Sequence, residues 1–241
     1  MNIGILVIAT GKYHEFVGPL WASAQTHLLA QTPHRVTFYV HTNAALPESD
    51  YRNYRLKVLR QDHLGWPFAT LWRYAIFSRT AALTGREDFL YYMDTDMLFN
   101  SKVGEEIFSD LVAVKHPGFC GESHAAFPHE NRRASSAYTP EDKRLAYYCG
   151  GVQGGAAQTY LKVCHELSAR IRLDLDRGIM ATWHDESHWN AYLAEHPPTK
   201  VLDSSYCVPQ EFMGKWPVTP KIVAVKKDHL KYQGEALRKG E

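Results

Sequence analysis

Two aspartates that follow an apolar stretch are the first residues in this sequence with the means to do chemistry. Asp94 and Asp96 are one residue apart and come directly after Phe89–Met93, whose apolar and aromatic side chains predict a buried strand. In open α/β sheets, ligands bind at the carboxyl ends of the strands. Two carboxylates at such a point can hold a hard divalent cation, and that cation can neutralise a diphosphate.

The same two aspartates fit two other interpretations. Short D-x-D runs arise often by accident, so the pair could be solvated acids in a turn. A hydrophobic strand ending in D-x-D also occurs in aspartate-nucleophile phosphohydrolases, in which the first Asp attacks phosphorus. Those enzymes normally carry Thr or Val where this sequence has Leu98, and they usually place this strand near the chain start.

A second polar run covers residues 183–190. His184 and His188 have the spacing of a helical zinc pair. Zinc proteases have H-E-x-x-H, with Glu directly after the first His, whereas here Asp185 follows His184 and Glu186 comes after it. Asp185 could cap a helix that begins here. A carboxylate such as Glu186 can also act as a nucleophile in glycosyl chemistry, or stabilise an oxocarbenium-like centre.

Residues 150–155 form a glycine cluster. No G-K-[S/T] follows it, so it is not a phosphate-binding P-loop. One interpretation is a tight turn into the next helix. The other is a close approach of the backbone to a sugar ring, where a Cβ would clash, with Gly151 as the candidate.

The elements that position these residues alternate between strand and helix in the first two-fifths of the chain. Apolar and β-branched runs predict strands at 3–9, 36–40, 55–59 and 89–93, and helical spacing predicts helices at 16–29 and 71–83, the latter ending at Gly85. This β-α-β-β-α-β order predicts an α/β layer fold with a mostly parallel sheet.

The rest of the chain is organised differently. Residues 117–147 are polar and weakly periodic, which predicts a long functional loop. Helices are predicted at 158–176 and 186–193 and a strand at 222–225, followed by a basic tail. With no internal repeat and no low-complexity linker, we expect one domain over residues 1–241.

Composition excludes some classes of function. The chain has 241 residues, 45% hydrophobic and 22% charged, with 27 basic and 26 acidic residues. A net charge of +1 gives no basic excess for nucleic acid. Four cysteines without a C-x-x-C pair predict reduced thiols. The first apolar run is too short to span a bilayer, which needs about 20 residues, so we expect a cytoplasmic protein without a signal or anchor.

Six runs together carry a resemblance to a known family. They are Y-Y-M-D-T-D at 91–96, H-P-G-F at 116–119, E-N-R-R at 130–133, Y-Y-C-G-G at 147–151, W-H-D-E-S-H at 183–188 and P-P-T-K-V-L at 197–202. In this order they resemble glycosyltransferase family 6, which includes the blood-group A and B transferases and the α-1,3-galactosyltransferases. The similarity spans nearly the whole chain, from residue 8 to about residue 229.

The resemblance implies a GT-A fold, a single Rossmann-like nucleotide-binding domain with a mixed central sheet. It implies a donor half of about residues 1–115 and an acceptor and catalytic half of about 116–241. The implied enzyme is a retaining hexosyltransferase that moves GalNAc or Gal from a UDP-sugar, in α-1,3 linkage, to a galactose-terminated, fucosylated oligosaccharide. The alternatives are the phosphohydrolase and a catalytically silent glycan-binding protein.

The resemblance also implies roles for individual residues. On the donor side, Ala9, Thr10 and Tyr13 would border the uridine, Arg73 would approach the nucleotide, Asp94 and Asp96 would bind Mn²⁺, and Lys227 would reach the diphosphate. On the reacting side, His116 would meet the acceptor, and the donor sugar would be bordered by Cys149, Gly150 and Gly151. Trp183 and His184 would line the substrate site. Asp185 would hold sugar hydroxyls, and Glu186 would be the carboxylate at the reacting face.

The departures from the family pattern carry information. Vertebrate members carry an anchor and stem, and we expect neither here, which is typical of bacterial or phage forms. Some bacterial relatives replace both D-x-D aspartates with Asn and work without metal; this sequence keeps both, which predicts metal dependence. Gly151 leaves room for an N-acetyl group, which favours UDP-GalNAc over UDP-Gal. Gly11, Pro128 and Gln153 replace residues usual in the family, the last two near the acceptor.

Overall fold

A computed structural model describes residues 1–215, 219–228 and 231–232. The end of the family resemblance, at about residue 229, lies outside these ranges. The strands are Asn2–Ile8 (β1), Arg35–Thr42 (β2), Ser49–Tyr51 (β3), Tyr54–Arg60 (β4), Phe89–Met93 (β5), Met97–Phe99 (β6), Leu111–Lys115 (β7), Tyr148–Ala156 (β8), Lys200–Leu202 (β9), Val208–Pro209 (β10) and Ile222–Ala224 (β11). The helices are Val17–His27 (α1), Phe68–Leu71 (α2), Arg73–Arg79 (α3), Ala81–Thr84 (α4), Ala157–Asp176 (α5) and His184–Glu195 (α6).

The central sheet is mixed, as the implied GT-A fold requires. Its order is β3-β4-β2-β1-β5-β8-β7-β9. Strands β4, β2, β1 and β5 are parallel, as the alternating pattern predicts, but β8 runs antiparallel to both of its neighbours. A second, small sheet of order β10-β11-β6 places the strand predicted at 222–225 beside the segment that follows the D-x-D run.

The glycine cluster lies within β8, in the middle of the main sheet, so the tight-turn interpretation is wrong. Close backbone packing explains why glycine is needed there. A Cβ on Gly154 would lie 2.3 Å from the Leu90 carbonyl oxygen of the adjacent β5. The low strand propensity of glycine is overridden because only glycine fits between the neighbouring strands.

The helix predicted at 71–83 is divided into three short helices. The breaks fall at Trp72 and Thr80, where the backbone leaves the helical region, and Gly85 ends the last one as predicted. The other predicted helices are present: α5 starts one residue before its predicted start and ends where predicted, and α6 extends two residues beyond each predicted end.

The core has two layers, one on each face of the sheet. One layer packs α1 against β1, β2 and the start of β6, around Leu20, Phe38 and Met97. The other packs α3, α5 and α6 against the opposite face, around Tyr74, Tyr160 and Trp189, all fully buried. This second layer lies directly behind the residues of the predicted site.

The predicted loop at 117–147 holds only short 3₁₀ turns, at Pro117–Phe119, His124–Ala126 and Glu141–Lys143. Its anchor is Glu130, which is buried and accepts hydrogen bonds from Arg132 and from the N–H and hydroxyl of Thr182. Burial alone would raise the pKa of Glu130, but these donors lower it to about 2. The loop is thereby fixed to the segment that precedes α6.

A helix that spans a membrane must be both long and apolar. Within the described ranges, no helix is both long enough and apolar enough to cross a bilayer.

Candidate active site

The D-x-D run lies at the carboxyl end of β5, as its position after an apolar strand predicts. The Thr95 hydroxyl donates to the Ile8 carbonyl at 2.6 Å, and the Asp94 N–H donates to the Gly151 carbonyl at 2.9 Å. These bonds tie the run to the ends of β1 and β8. Burial, and then the neighbouring Asp94, raise the pKa of Asp96, which the Lys227 ammonium opposes.

Cations face both carboxylates of the run. Lys227 Nζ lies 2.5 Å from Asp96 Oδ2, and the Lys227 side chain is largely buried. Arg73 lies 3.6 Å from Asp94 Oδ1, which also accepts a short hydrogen bond from the Tyr92 hydroxyl. The basic tail therefore reaches the D-x-D run, where the resemblance expects it.

Arg73 connects the two parts of the site. Its side chain is 3% exposed and lies over the Tyr92 ring, 4.1 Å from the ring centre. Its Nε is 3.1 Å from Asp185 Oδ2, and its NH1 donates to the Gly150 carbonyl at 2.6 Å. A buried guanidinium is stable only when it is paired and hydrogen-bonded, and the carboxylates of Asp94 and Asp185 supply that pairing.

Glu186 lies in the first turn of α6 and is only partly open to solvent. Its Oε1 accepts a hydrogen bond from the Tyr147 hydroxyl at 2.8 Å, and its Oε2 accepts one from the Gly150 N–H at 2.7 Å. Burial raises the pKa of Glu186 to about 7, against the effect of these two donors. The charged and protonated forms therefore both exist near neutral pH.

Asp185 does not cap α6. The cap position is Trp183, and the buried Asp185 side chain turns instead towards Arg73. Burial raises the pKa of Asp185 to about 6, although Arg73 lowers it. Among the described residues, Oδ2 has its ion pair with Arg73 but no partner in hydrogen-bond geometry.

Two adjacent glycines bring the parts of the site together. A Cβ on Gly150 would lie 3.2 Å from Glu186 Cβ, and a Cβ on Gly151 would lie 2.8 Å from Asp94 Oδ2 and from Met97 Cε. The pairing register of β7 and β8 shifts beside these residues, as at a β-bulge. The bulge lets consecutive residues of one strand contact both carboxylate groups.

A cavity of about 230 Å³ opens beside the D-x-D run. Thr10, Tyr13, Trp66 and Lys227 line it, and Ala9 is fully buried at the end of β1. The Lys227 ammonium lies 5.0 Å from the centre of the Tyr13 ring. The predicted uridine-side residues therefore share one region with both aspartates.

The remaining predicted residues lie around Glu186 or behind it. The His116 ring is 5.6 Å from the Tyr147 ring, and burial lowers the pKa of His116 to about 4. Trp183 is 52% exposed at the start of α6. Cys149 is buried in the core, so its side chain is not at the surface of the cavity.

His184 adopts a strained backbone conformation, with φ of 50°. Such strain persists only where the surroundings fix the chain, as the Glu130 anchor does here. The His184 ring packs on Trp66, whereas His188 is buried beside Asp174 at 3.8 Å. The two histidines therefore have different partners, which contradicts the zinc-pair interpretation.

Several residues of the site were missed at the sequence level. Tyr92 and Tyr147 lie in the quoted runs, so tyrosines beside the acidic and glycine motifs were the available signal. Trp66, which lines the cavity, lies outside the quoted runs and had no such signal, and the family pattern places position 153 near the acceptor. Gln153 is fully buried, with its amide nitrogen 2.9 Å from the Gly150 carbonyl oxygen, so its side chain has no surface that an acceptor could contact directly.

The residues present fit a divalent cation. Asp94 and Asp96 offer hard carboxylate oxygens on one cavity wall, which is the ligand chemistry that Mn²⁺ and Mg²⁺ prefer. Within the described residues, no group of three or more His, Cys, Asp or Glu side chains is arranged to hold a metal. A cation here would thus need further ligands from its substrate or from water.

Comparison with known proteins places this geometry in a family. The family model described as glycosyltransferase family 6 matches residues 1–237. The chain is 36% identical over 240 residues to histo-blood group ABO system transferase 2 of Rattus norvegicus, covering 95% of this chain and 70% of the relative. It is 34% identical to globoside alpha-1,3-N-acetylgalactosaminyltransferase 1 of Gallus gallus, covering 86% of this chain and 61% of the relative.

A bacterial relative is similar over most of its own length. The O-antigen biosynthesis glycosyltransferase WbnI of Escherichia coli is 25% identical over 215 residues, covering 88% of this chain and 90% of the relative. The family match runs from β1 through the segment that brings Lys227 to Asp96. The chain therefore belongs to glycosyltransferase family 6.

Proposed function

We propose that the chain is a retaining α-1,3-glycosyltransferase that moves GalNAc or Gal from a UDP-sugar to a galactose-terminated, fucosylated glycan. The observation that carries this proposal is the position of Arg73. One buried guanidinium contacts Asp94, Asp185 and the Gly150 carbonyl. The carboxylates suited to a cation and the carboxylates suited to a sugar therefore form one connected site. The names of the rat and chicken relatives support the same class of reaction.

The donor side suits a nucleotide diphosphate. The Tyr13 and Trp66 rings offer apolar surface beside the two aspartates, and Lys227 offers a positive charge. Asp94 and Asp96 would hold Mn²⁺, which would supply positive charge to a departing diphosphate. Residues 1–115 would thus form the donor half, with Lys227 contributed by the acceptor half of residues 116–241.

The reacting side suits glycosyl chemistry at a positive centre. When ionised, Glu186 can attack the anomeric carbon or stabilise an oxocarbenium-like centre, and both routes lead to retention. Asp185, which is ion-paired with Arg73, would hold donor-sugar hydroxyls. His116, Trp183 and His184 would border the acceptor.

We propose UDP-GalNAc as the preferred donor. Gly151 is partly exposed and carries no side chain beside Asp94, and a pocket that fits the larger N-acetyl group still admits the smaller hydroxyl. Because Cys149 faces the core, this preference depends on Gly151 and its neighbours rather than on the cysteine side chain.

The test is UDP release from UDP-GalNAc and UDP-Gal with a fucosylated galactoside acceptor, in Mn²⁺ and then in EDTA. We expect release that the acceptor stimulates and that EDTA abolishes, faster with UDP-GalNAc. Activity that survives EDTA would remove the metal from Asp94 and Asp96. No release with either donor would contradict the transferase and return the glycan-binding and phosphohydrolase alternatives.

A further inference from the structure

Gln153 is a buried amide in the layer of core behind the site. It lies in the centre of β8, between Tyr92 of β5 and Ala113 of β7, and has no exposed surface. Its surroundings are the packed tyrosines Tyr74 and Tyr160. Burying an amide costs free energy unless each of its polar atoms finds a partner.

Every polar atom of the Gln153 side chain has a partner. Oε1 lies 3.1 Å from the Tyr74 hydroxyl and 3.3 Å from the Tyr160 hydroxyl, and Nε2 donates to the Gly150 carbonyl at 2.9 Å. A carbonyl can only accept, so Gly150 fixes which end of the amide faces the site. The two tyrosines then hold that orientation from behind.

The backbone at Gly150 needs the hydrogen bond from Gln153 more than the backbone of an ordinary strand residue would. It lies where the β7–β8 register shifts, so the regular ladder does not fix it. It is also followed by Gly151, and two consecutive glycines leave the backbone unusually free to rotate. Arg73 holds the same carbonyl, but Arg73 also faces Asp94 and Asp185, where ligands would bind. The hydrogen-bond partners of the Gln153 side chain are instead Gly150 and two buried tyrosines, not Asp94 or Asp185.

We propose that Gln153 is a positioning residue: by holding the Gly150 carbonyl, it fixes the backbone conformation of the residue whose N–H donates to the Glu186 carboxylate. The inference rests on the proposed role of Glu186 at the reacting sugar carbon. The Gly150 N–H donates to Glu186 Oε2 at 2.7 Å, and its carbonyl, on the other side of the residue, is held by the Gln153 amide. Gln153, which has no access to substrate, thereby helps to orient the Glu186 carboxylate, which is proposed to contact the reacting sugar carbon.

The test compares Gln153→Met with Tyr160→Phe. The first variant keeps the side-chain length and removes the donor to Gly150. The second is the matched control, because it removes a partner of Oε1 in the same buried layer and keeps the Gln153–Gly150 bond. We expect Gln153→Met to lower kcat about tenfold with the donor KM within about twofold, and Tyr160→Phe to keep kcat within about twofold.

A pH profile adds a measurement that a merely structural role would not move. The acid limb of kcat should shift to higher pH in Gln153→Met alone, because a weaker Gly150 N–H bond favours the charged carboxylate less. Equal kcat in the two variants, at an equal loss of Tm, would overturn the inference. If Gln153→Met does not fold, Gln153→Leu also removes the amide donor without adding a titratable group, and wild-type kcat in that folded variant would overturn it as well.

Glu186→Gln, measured alongside, separates this inference from the proposed function. If Glu186→Gln keeps full activity, the proposed role of Glu186 fails and the inference falls with it. If Glu186→Gln is inactive while Gln153→Met behaves like Tyr160→Phe, only the positioning role of Gln153 fails.

Discussion

The carboxylates of the site are stabilised in two different ways. Asp94 and Asp96 face cations, with Lys227 at 2.5 Å from Asp96 and Arg73 at 3.6 Å from Asp94. Glu186 accepts its hydrogen bonds from neutral groups, the Tyr147 hydroxyl and the Gly150 N–H. Two adjacent residues of β8 lie between them, with Gly150 beside Glu186 and Gly151 beside Asp94.

This difference separates binding from reaction. A carboxylate that faces an ammonium group can exchange that partner for a metal ion at little electrostatic cost, because one positive charge replaces another. A carboxylate held by neutral dipoles keeps a net negative charge, and its proton affinity is raised by burial. The first arrangement suits a site that takes up a charged donor, and the second suits a group that meets a developing positive charge.

The largest expected effect comes from removing the charge that neutral dipoles hold. Glu186→Gln should lower kcat by about 10²–10³-fold, because the amide cannot stabilise a cationic centre. UDP affinity, measured by calorimetry, should change by less than about twofold. A loss of UDP binding equal to the loss of kcat would place Glu186 on the binding side of the comparison instead.

The next largest effect comes from removing the Lys227 ammonium group, which faces Asp96. Lys227→Ala should weaken UDP binding about tenfold and, in the nucleotide-free protein, should tighten Mn²⁺ binding, because Mn²⁺ no longer competes with the ammonium group. Both affinities can be measured by titration calorimetry, with Lys226→Ala as the matched control in the same segment. Mn²⁺ and UDP affinities that fall together would show that Lys227 does not occupy the cation position.

The pH dependence sharpens the comparison further. With Glu186 in its proposed role as a carboxylate and with its pKa at about 7, kcat should fall as the pH drops through 7, by about tenfold at one unit below. Stability should change in the opposite direction. Burial favours the protonated form, so the Glu186 contribution is present below its ordinary pKa of 4.5 and is lost as the pH rises through about 7. Thermal melts and initial rates over pH 5–9 measure both, and a flat rate profile would contradict the assignment.

The smallest expected effect comes from weakening one dipole. Tyr147→Phe removes the hydroxyl that donates to Glu186 Oε1 and keeps the ring that packs against His116. We expect kcat to fall about three- to tenfold and the acid limb to move to higher pH, since a donor to the charged form has been lost. Tyr148→Phe is the control, and an equal effect from it would mean that the Tyr147 hydroxyl has no specific role.

Strands β1, β2, β4 and β5 and the longer helices could be predicted because those strands are apolar and those helices periodic. The strand at 89–93 and the long helix α5 carry those patterns clearly. Strand β8 could not be predicted, since its glycines have low strand propensity and are selected by contacts with β5 that only the folded sheet creates. Edge strand β3 was missed for a related reason: its three residues carry no readable pattern.

The site was predictable where its chemistry is local in sequence. Asp94 and Asp96 are adjacent to a clear strand, and the resemblance supplied Glu186 and Lys227. The contacts that connect them are not local: Arg73 meets Asp185, and Gln153 meets a peptide displaced by a bulge. Such contacts depend on packing between α3, β8 and α6, for which a single sequence gives no direct signal.

Gly151 links two properties that are usually considered separately. Any side chain at this position would press on the first carboxylate of the D-x-D run and on Met97. Selection or engineering that changed sugar preference at residue 151 would therefore also alter the demand for a cation. In evolutionary terms, the proposed roles of Gly151 and Asp94 would make donor choice and metal use share one small volume, so we expect lineages to change them together.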